Sequence, residues 1–150
     1  MSEEIRISNK PFVVLMAEDD EHDIMATRRA WKKHGIVNPL YVVTDGEECL
    51  DFLYRRGKYS DPKSAPRPGI LLLDINMPKM DGLTVLKHIR EDPDLPHMFV
   101  VILTTSKGEE DRMRSYDLGA NAYIVKPVGL ENFSEAVRAL SLFWELIELK

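Results

Sequence analysis

The chain has 150 residues, 44% of them apolar and 30% charged, with a net charge of −5. That length favours one domain able to bury a sizeable core, and the negative balance argues against non-specific nucleic-acid binding, which needs a basic stripe, while leaving room for a local basic patch. The single cysteine, Cys49, excludes an internal disulfide; with no secretory signal and no apolar run near the roughly 20 residues of a membrane helix, the expected setting is reducing and cytoplasmic.

Residues 1–10 are polar and read as a loose arm. Residues 12–17, FVVLMA, form a continuous apolar run, the pattern of a strand buried on both faces. Ile24, Thr27, Trp31 and His34 then recur at helical spacing, with Gly35 placed to stop the helix. PLYVV predicts a second strand, and TDGEECLDFLYRR a helix capped by Asp45 with Cys49, Leu50, Leu53 and Tyr54 inward. Residues 57–68, GKYSDPKSAPRP, read as a loop that is long for a compact domain.

GILLLD is the third strand, and residues 82–90 a helix carrying Leu83, Leu86 and Ile89. MFVVILTTS is the fourth strand. GEEDRMRSYDLG opens with acids, as a helix dipole prefers, and closes on Gly119. AYIV is the fifth strand, and a last helix runs from about Leu130. Alternating strands and helices with near-continuous apolar strands predict a (βα)5 doubly wound α/β domain, a parallel sheet covered on both faces.

In such a sheet ligands bind beyond the carboxyl ends of the strands. The first apolar run ends on Glu18, Asp19 and Asp20, the third on Asp74, the fourth on Thr104, Thr105 and Ser106, and the fifth on Lys126 and Pro127. Singly, each has an ordinary explanation: Asp74 reads equally well as a helix cap, and Lys126 as a surface residue. Together they place carboxylates, a hydroxyl and an ammonium on one rim. Crowded carboxylates demand a proton or a cation. An all-oxygen site with open positions suits Mg²⁺. A carboxylate beside that ion can attack phosphorus, so Asp74 is placed to be phosphorylated.

These pieces, AEDD, LLLDINMPKMDG, ILTTS and AYIVKP, resemble the response-regulator receiver domains of two-component signalling. The resemblance implies a flavodoxin-like fold with strand order 2-1-3-4-5. It implies that Asp74 is the phosphoacceptor, and that Glu18, Asp19, Asp74 and the backbone carbonyl of Asn76 hold Mg²⁺. It casts Thr104 as the switch hydroxyl, Tyr123 as the aromatic residue that moves with it, and Lys126 as the phosphate-binding lysine. Ser106 and the Asn76 side chain occupy positions that tune phosphate lifetime. The Lys126–Pro127 bond is expected to be cis.

With residues 1–150 read as one receiver domain, direct DNA-binding output is not expected, and output passes through protein contact or phosphate relay. On the last helix, Phe133, Ala136, Val137, Leu140, Phe143, Trp144 and Ile147 share the face toward the sheet, while Leu142, Leu146 and Leu149 fall opposite. That second stripe is the expected dimer contact of a homodimer formed around the fourth helix, fifth strand and fifth helix. The alternative is frayed terminal leucines. The long loop and the aromatic tail LFWELIELK resemble stand-alone receivers that partner phytochrome histidine kinases, so a sensor histidine kinase of that type is the expected partner. The basic residues Arg55, Arg56, Lys58, Lys63 and Arg67 offer a docking surface for it.

Two other readings compete: a relay receiver for a non-photoreceptor hybrid kinase, and an aspartate-nucleophile phosphatase. A phosphatase wants a second Asp shortly after the first and a cap domain; here Asn76 stands two residues past Asp74. The expectation is therefore a protein without separate substrate turnover.

Overall fold

The computed structural model describes residues 11–95, 97–127 and 130–144. The apolar runs become strands β1 (Val13–Ala17), β2 (Leu40–Val43), β3 (Pro68–Leu73), β4 (Phe99–Thr104) and β5 (Ala122–Val125). All neighbours pair parallel, in the order β2-β1-β3-β4-β5, the flavodoxin-like arrangement. Five helices connect and follow them: α1 (Glu21–Lys33), α2 (Gly46–Tyr54), α3 (Gly82–Glu91), α4 (Glu109–Asp117) and α5 (Leu130–Trp144). None of the described helices is long and apolar enough to cross a membrane.

Side chains alternate across each strand, so two cores form. Leu15, Ala17, Leu71, Leu73, Val100 and Ile102 pack with Phe52, Leu53, Leu83 and Leu86 of α2 and α3. Val14, Met16, Ile70, Leu72, Val101 and Leu103 pack with α1 and α5 through Ala26, Ala30, Trp31, Phe133 and Val137. Because both faces are covered, the central strands have no polar face, which is why they read as unbroken apolar runs.

The helix starts crowd the rim where the strands end. Asp20 caps α1, accepting from the amides of His22 and Asp23. Asp45 caps α2 through Glu48 N–H at 2.7 Å, and Asp81 caps α3 through Thr84 N–H at 2.8 Å. Gly35, with φ 61°, takes the left-handed turn that ends α1. On α5, Phe133, Val137 and Leu140 are buried as expected, and Leu142 is exposed. Leu146, Leu149 and Ile147 lie outside the described residues, as does the 1–10 arm, and the side chains of Phe143 and Trp144 are likewise outside the description.

The 57–68 segment is packed against α2. A 3-10 turn at Gly57–Tyr59 sets the Tyr59 ring 5.1 Å from that of Phe52, and Tyr59 O–H donates to Glu48 Oε2 at 2.7 Å. Ala65 is buried; its carbonyl accepts from Arg55 Nε, and Leu53's carbonyl accepts from Arg67. Arg56 pairs with Asp51 and Lys58 with Glu48. Four of the five basic residues put forward as a docking surface are thus engaged within this corner.

Glu48 holds the corner together. Burial alone would raise its pKa, but hydrogen bonds from Lys58, Tyr59 and the Thr44 amide outweigh that and hold the carboxyl at about 2. Its ordinary value is near 4.5. Below that value the unfolded chain binds a proton that the folded chain still refuses. The stabilisation is therefore complete above pH 4.5 and is lost as pH falls through 2. Urea unfolding should show that Glu48→Gln loses about 2 kcal/mol less stability between pH 7 and pH 3 than the native chain does. Equal losses in both proteins would contradict this account.

Candidate functional site

The switch point of the sheet lies between β1 and β3, where the chain leaves in opposite directions. Glu18 N–H donates to Val43 O at 3.0 Å and Asp74 N–H to Ala17 O at 3.1 Å, so the parallel ladder continues one step past each strand. Two acidic side chains are thereby fixed side by side. Glu18 and Asp74 are buried, and Asp19 is exposed at the rim. One oxygen from each of Glu18, Asp19 and Asp74 lies within 4.8 Å of the others.

Asp74 is held from behind by the turn that follows it. Gly82 N–H donates to Ile75 O at 2.8 Å, and a Cβ built on Gly82 would lie 2.0 Å from the Asp74 carbonyl oxygen. Only glycine lets α3 begin this close to the Asp74 backbone. Asn76 N–H reaches Asp74 Oδ1 at 3.4 Å, keeping residue 76 beside it.

Lys126 enters from β5. Its amide donates to Thr104 O at 2.7 Å. Its ammonium contacts Glu18 Oε2, Asp23 Oδ2 at 2.8 Å and Asp74 Oδ2 at 3.1 Å. Burial works against the charge on Lys126, but the hydrogen bonds to Asp23 and Glu18 and the charge of Asp74 outweigh it and raise its pKa. Burial also raises the pKa of Glu18, against the hydrogen bonds from Lys126 and the Asp20 amide. Lys126 thus pairs with Glu18 and Asp74 of the three clustered carboxylates, and Asp19 has no part in that contact. Hard oxygen donors with an uncompensated negative charge fit a divalent cation.

Thr104 is fully buried, and its hydroxyl oxygen accepts from Ser106 N–H at 3.3 Å. Tyr123 is half-buried and donates its hydroxyl to Ser106 O at 2.9 Å. The Ser106 hydroxyl donates to Asp111 Oδ2 at 2.7 Å, which ties the strand-four loop to the start of α4. Glu18, Asp19, Asp74 and Lys126 therefore lie together, while Thr104 and Tyr123 are linked to each other through the Ser106 backbone.

Two findings depart from the sequence reading. Among the described residues no peptide bond is cis, so Lys126–Pro127 is trans, the isomer that even a prolyl amide prefers by a small margin. Asp23 was not expected at the site, yet its carboxylate holds Lys126. It sits in the first turn of α1, where an acid is ordinarily explained by the helix dipole. Asp20 is the α1 cap rather than part of the cluster, and the His22 side chain is 99% exposed.

This fold with this rim defines a receiver. The chain belongs to the response regulator receiver domain family, whose model matches residues 14–138. It is 38% identical over 137 residues to response regulator Rcp1 of Synechocystis sp., covering 91% of each chain. The Mn²⁺-bound form of Rcp1 superposes with a TM-score of 0.84 at 37% identity, covering 93% of this chain and 99% of that one. A phosphorylated cyanobacterial phytochrome response regulator, RcpA, gives 0.85 at 35% identity, covering 93% and 98%. The protein is a receiver-type response regulator homologous to those proteins, and a sensor kinase is the partner this class implies.

Proposed function

We propose that Asp74 accepts a phosphoryl group from the phosphohistidine of a sensor histidine kinase. The observation that carries this reading is the Lys126 ammonium 3.1 Å from Asp74 Oδ2, inside a cluster of three acidic side chains. An Asp74 carboxylate oxygen attacks phosphorus, a P–O bond forms, and the P–N bond breaks. The imidazole nitrogen leaves with the electron pair. Hydrolysis later returns the carboxylate and inorganic phosphate, so the chain turns over no separate substrate.

Glu18, Asp19, Asp74 and the Asn76 carbonyl would hold the cation, which is Mg²⁺ in this reading. When bound, it supplies charge neutralisation for the transferring group. Lys126 holds a phosphoryl oxygen, and the Thr104 hydroxyl donates to another. Drawing Thr104 toward Asp74 pulls on the loop through the Ser106 N–H to Thr104 contact. The Tyr123 hydroxyl, hydrogen-bonded to Ser106 O, follows that movement, and the α4-β5-α5 surface changes.

The kinase is of the phytochrome type. Support comes from the likeness to RcpA, itself described as a phytochrome response regulator, and to Rcp1 along nearly its whole length. Residues 1–150 act as one receiver unit in the cytoplasm, with output through protein contact rather than nucleic acid. Profiling phosphotransfer from a panel of sensor kinases should show the fastest labelling from a light-regulated one. Fastest labelling from a hybrid kinase without a photosensor would favour the relay reading instead.

The same reading includes a homodimer through the α4-β5-α5 face. Met113 and Tyr116 on α4, Val125 on β5 and Leu142 on α5 are all exposed apolar residues. Sedimentation should show a dimer that Leu142→Arg shifts toward monomer. A monomeric native chain, or a dimer indifferent to the change, would remove this part of the reading.

A further inference from the structure

We propose that Asp23 is a positioning residue that aims the Lys126 ammonium at Asp74. This rests on the reading of Asp74 as phosphoacceptor and adds a residue to its machinery. An ammonium has three N–H donors and no acceptor. In this structure Lys126 meets three carboxylates, from Glu18, Asp23 and Asp74. Two of those three belong to the cation-binding cluster, and Asp23 does not.

The three partners therefore have different fates. Asp74 becomes the phosphoryl carrier, and Glu18 is a ligand of the cation. Asp23 alone has no other assignment, so it remains an anionic anchor for the ammonium throughout the cycle. The lysine needs one, because its four-carbon stem is flexible and its charge compact.

Asp23 itself is rigidly mounted. Its amide donates to the Asp20 cap at 3.2 Å, and its carbonyl accepts from the hydroxyl of the fully buried Thr27 at 2.7 Å. The Lys126 side chain is 4% exposed and that of Asp23 26%. The contact therefore engages one N–H of the ammonium and leaves the other two for Glu18 and Asp74. A helix-dipole role would account for an acid at this position but not for a 2.8 Å contact to a buried lysine from another element.

A double-mutant cycle tests the inference. Phosphorylation of the full chain by phosphoramidate with Mg²⁺ is followed in the native protein and in Asp23→Ala, Asp23→Glu, Lys126→Ala and Asp23→Ala/Lys126→Ala. Asp23→Ala should slow phosphorylation about tenfold, the scale of one charge-assisted hydrogen bond. Asp23→Glu should restore most of the rate. In the Lys126→Ala background the Asp23 change should alter the rate less than about twofold, because the residue acts through the lysine.

The second readout needs neither cation nor phosphoryl donor. The Lys126 ammonium resonance in ¹⁵N spectra of the cation-free chain should be visible in the native protein and in Asp23→Glu. It should be exchange-broadened away in Asp23→Ala. An unchanged rate and resonance in Asp23→Ala, or a full tenfold effect persisting without Lys126, would overturn the proposal while leaving Asp74 as acceptor. A native chain that takes up no phosphoryl group would overturn the phosphoacceptor reading itself.

Discussion

Replacing Asp74 with asparagine is expected to reduce phosphoryl uptake at least about a thousandfold, more than 4 kcal/mol of barrier, with every donor that labels the native chain. The amide keeps the size and one acceptor oxygen but loses the charge that makes the carboxylate a nucleophile. The fold should survive. Asp74 contributes a negative charge to a cluster that already contains Glu18 and Asp19, so the neutral side chain relieves repulsion at the rim. The melting temperature should accordingly be no lower than native, which separates lost chemistry from lost structure. Radiolabel retained on Asp74→Asn in acid-labile form would contradict the assignment.

The second large effect concerns backbone approach rather than chemistry. Gly82→Ala should destabilise the chain by about 3 kcal/mol or more in urea unfolding. Its Cβ would meet the Asp74 carbonyl oxygen at 2.0 Å and carbon at 2.9 Å, and Ile75 Cα at 3.0 Å. All three are backbone atoms, so no side chain can swing aside. Relief requires α3 to move outward. That breaks the Gly82 N–H to Ile75 O bond and opens the packing of Leu83, Val85 and Leu86. Gly108→Ala is the matched control, because its Cβ would meet only the Ser106 hydroxyl at 3.7 Å. As the α4 N-cap, where glycine is preferred to alanine, it should cost only about 1 kcal/mol. Equal stabilities for the two variants would contradict the close-approach argument.

Much of the architecture was legible because it rests on repetition. Strands buried on both faces must be apolar throughout, and FVVLMA, GILLLD and MFVVILTTS announce them to within a residue or two of β1, β3 and β4. The rim was legible for a related reason. A charge that interrupts such a run, as Asp74 and Lys126 do, falls at the strand's end, and parallel strands all end on the same edge. Asp45 announced the start of α2 by the same local logic of capping.

What stayed hidden depends on contacts between distant segments. Asp23 and Lys126 are 103 residues apart, and nothing in the first turn of α1 distinguishes an acid that serves the dipole from one that holds a lysine. The basic residues around 57–68 read as available because charge alone says nothing of partners. Their engagement with Glu48, Asp51 and the carbonyls of Leu53 and Ala65 appears only in the folded corner.

The most direct measurement of the central claim is chemical mapping of the phosphorylated residue. After exposure to phosphoramidate and Mg²⁺, borohydride reduction converts an aspartyl phosphate to homoserine, which peptide sequencing by mass spectrometry locates. Homoserine at position 74 alone, dependent on the divalent cation, is the predicted result. Homoserine at Asp19 or Asp23, or stable phosphate on Thr104 or Ser106, would contradict it.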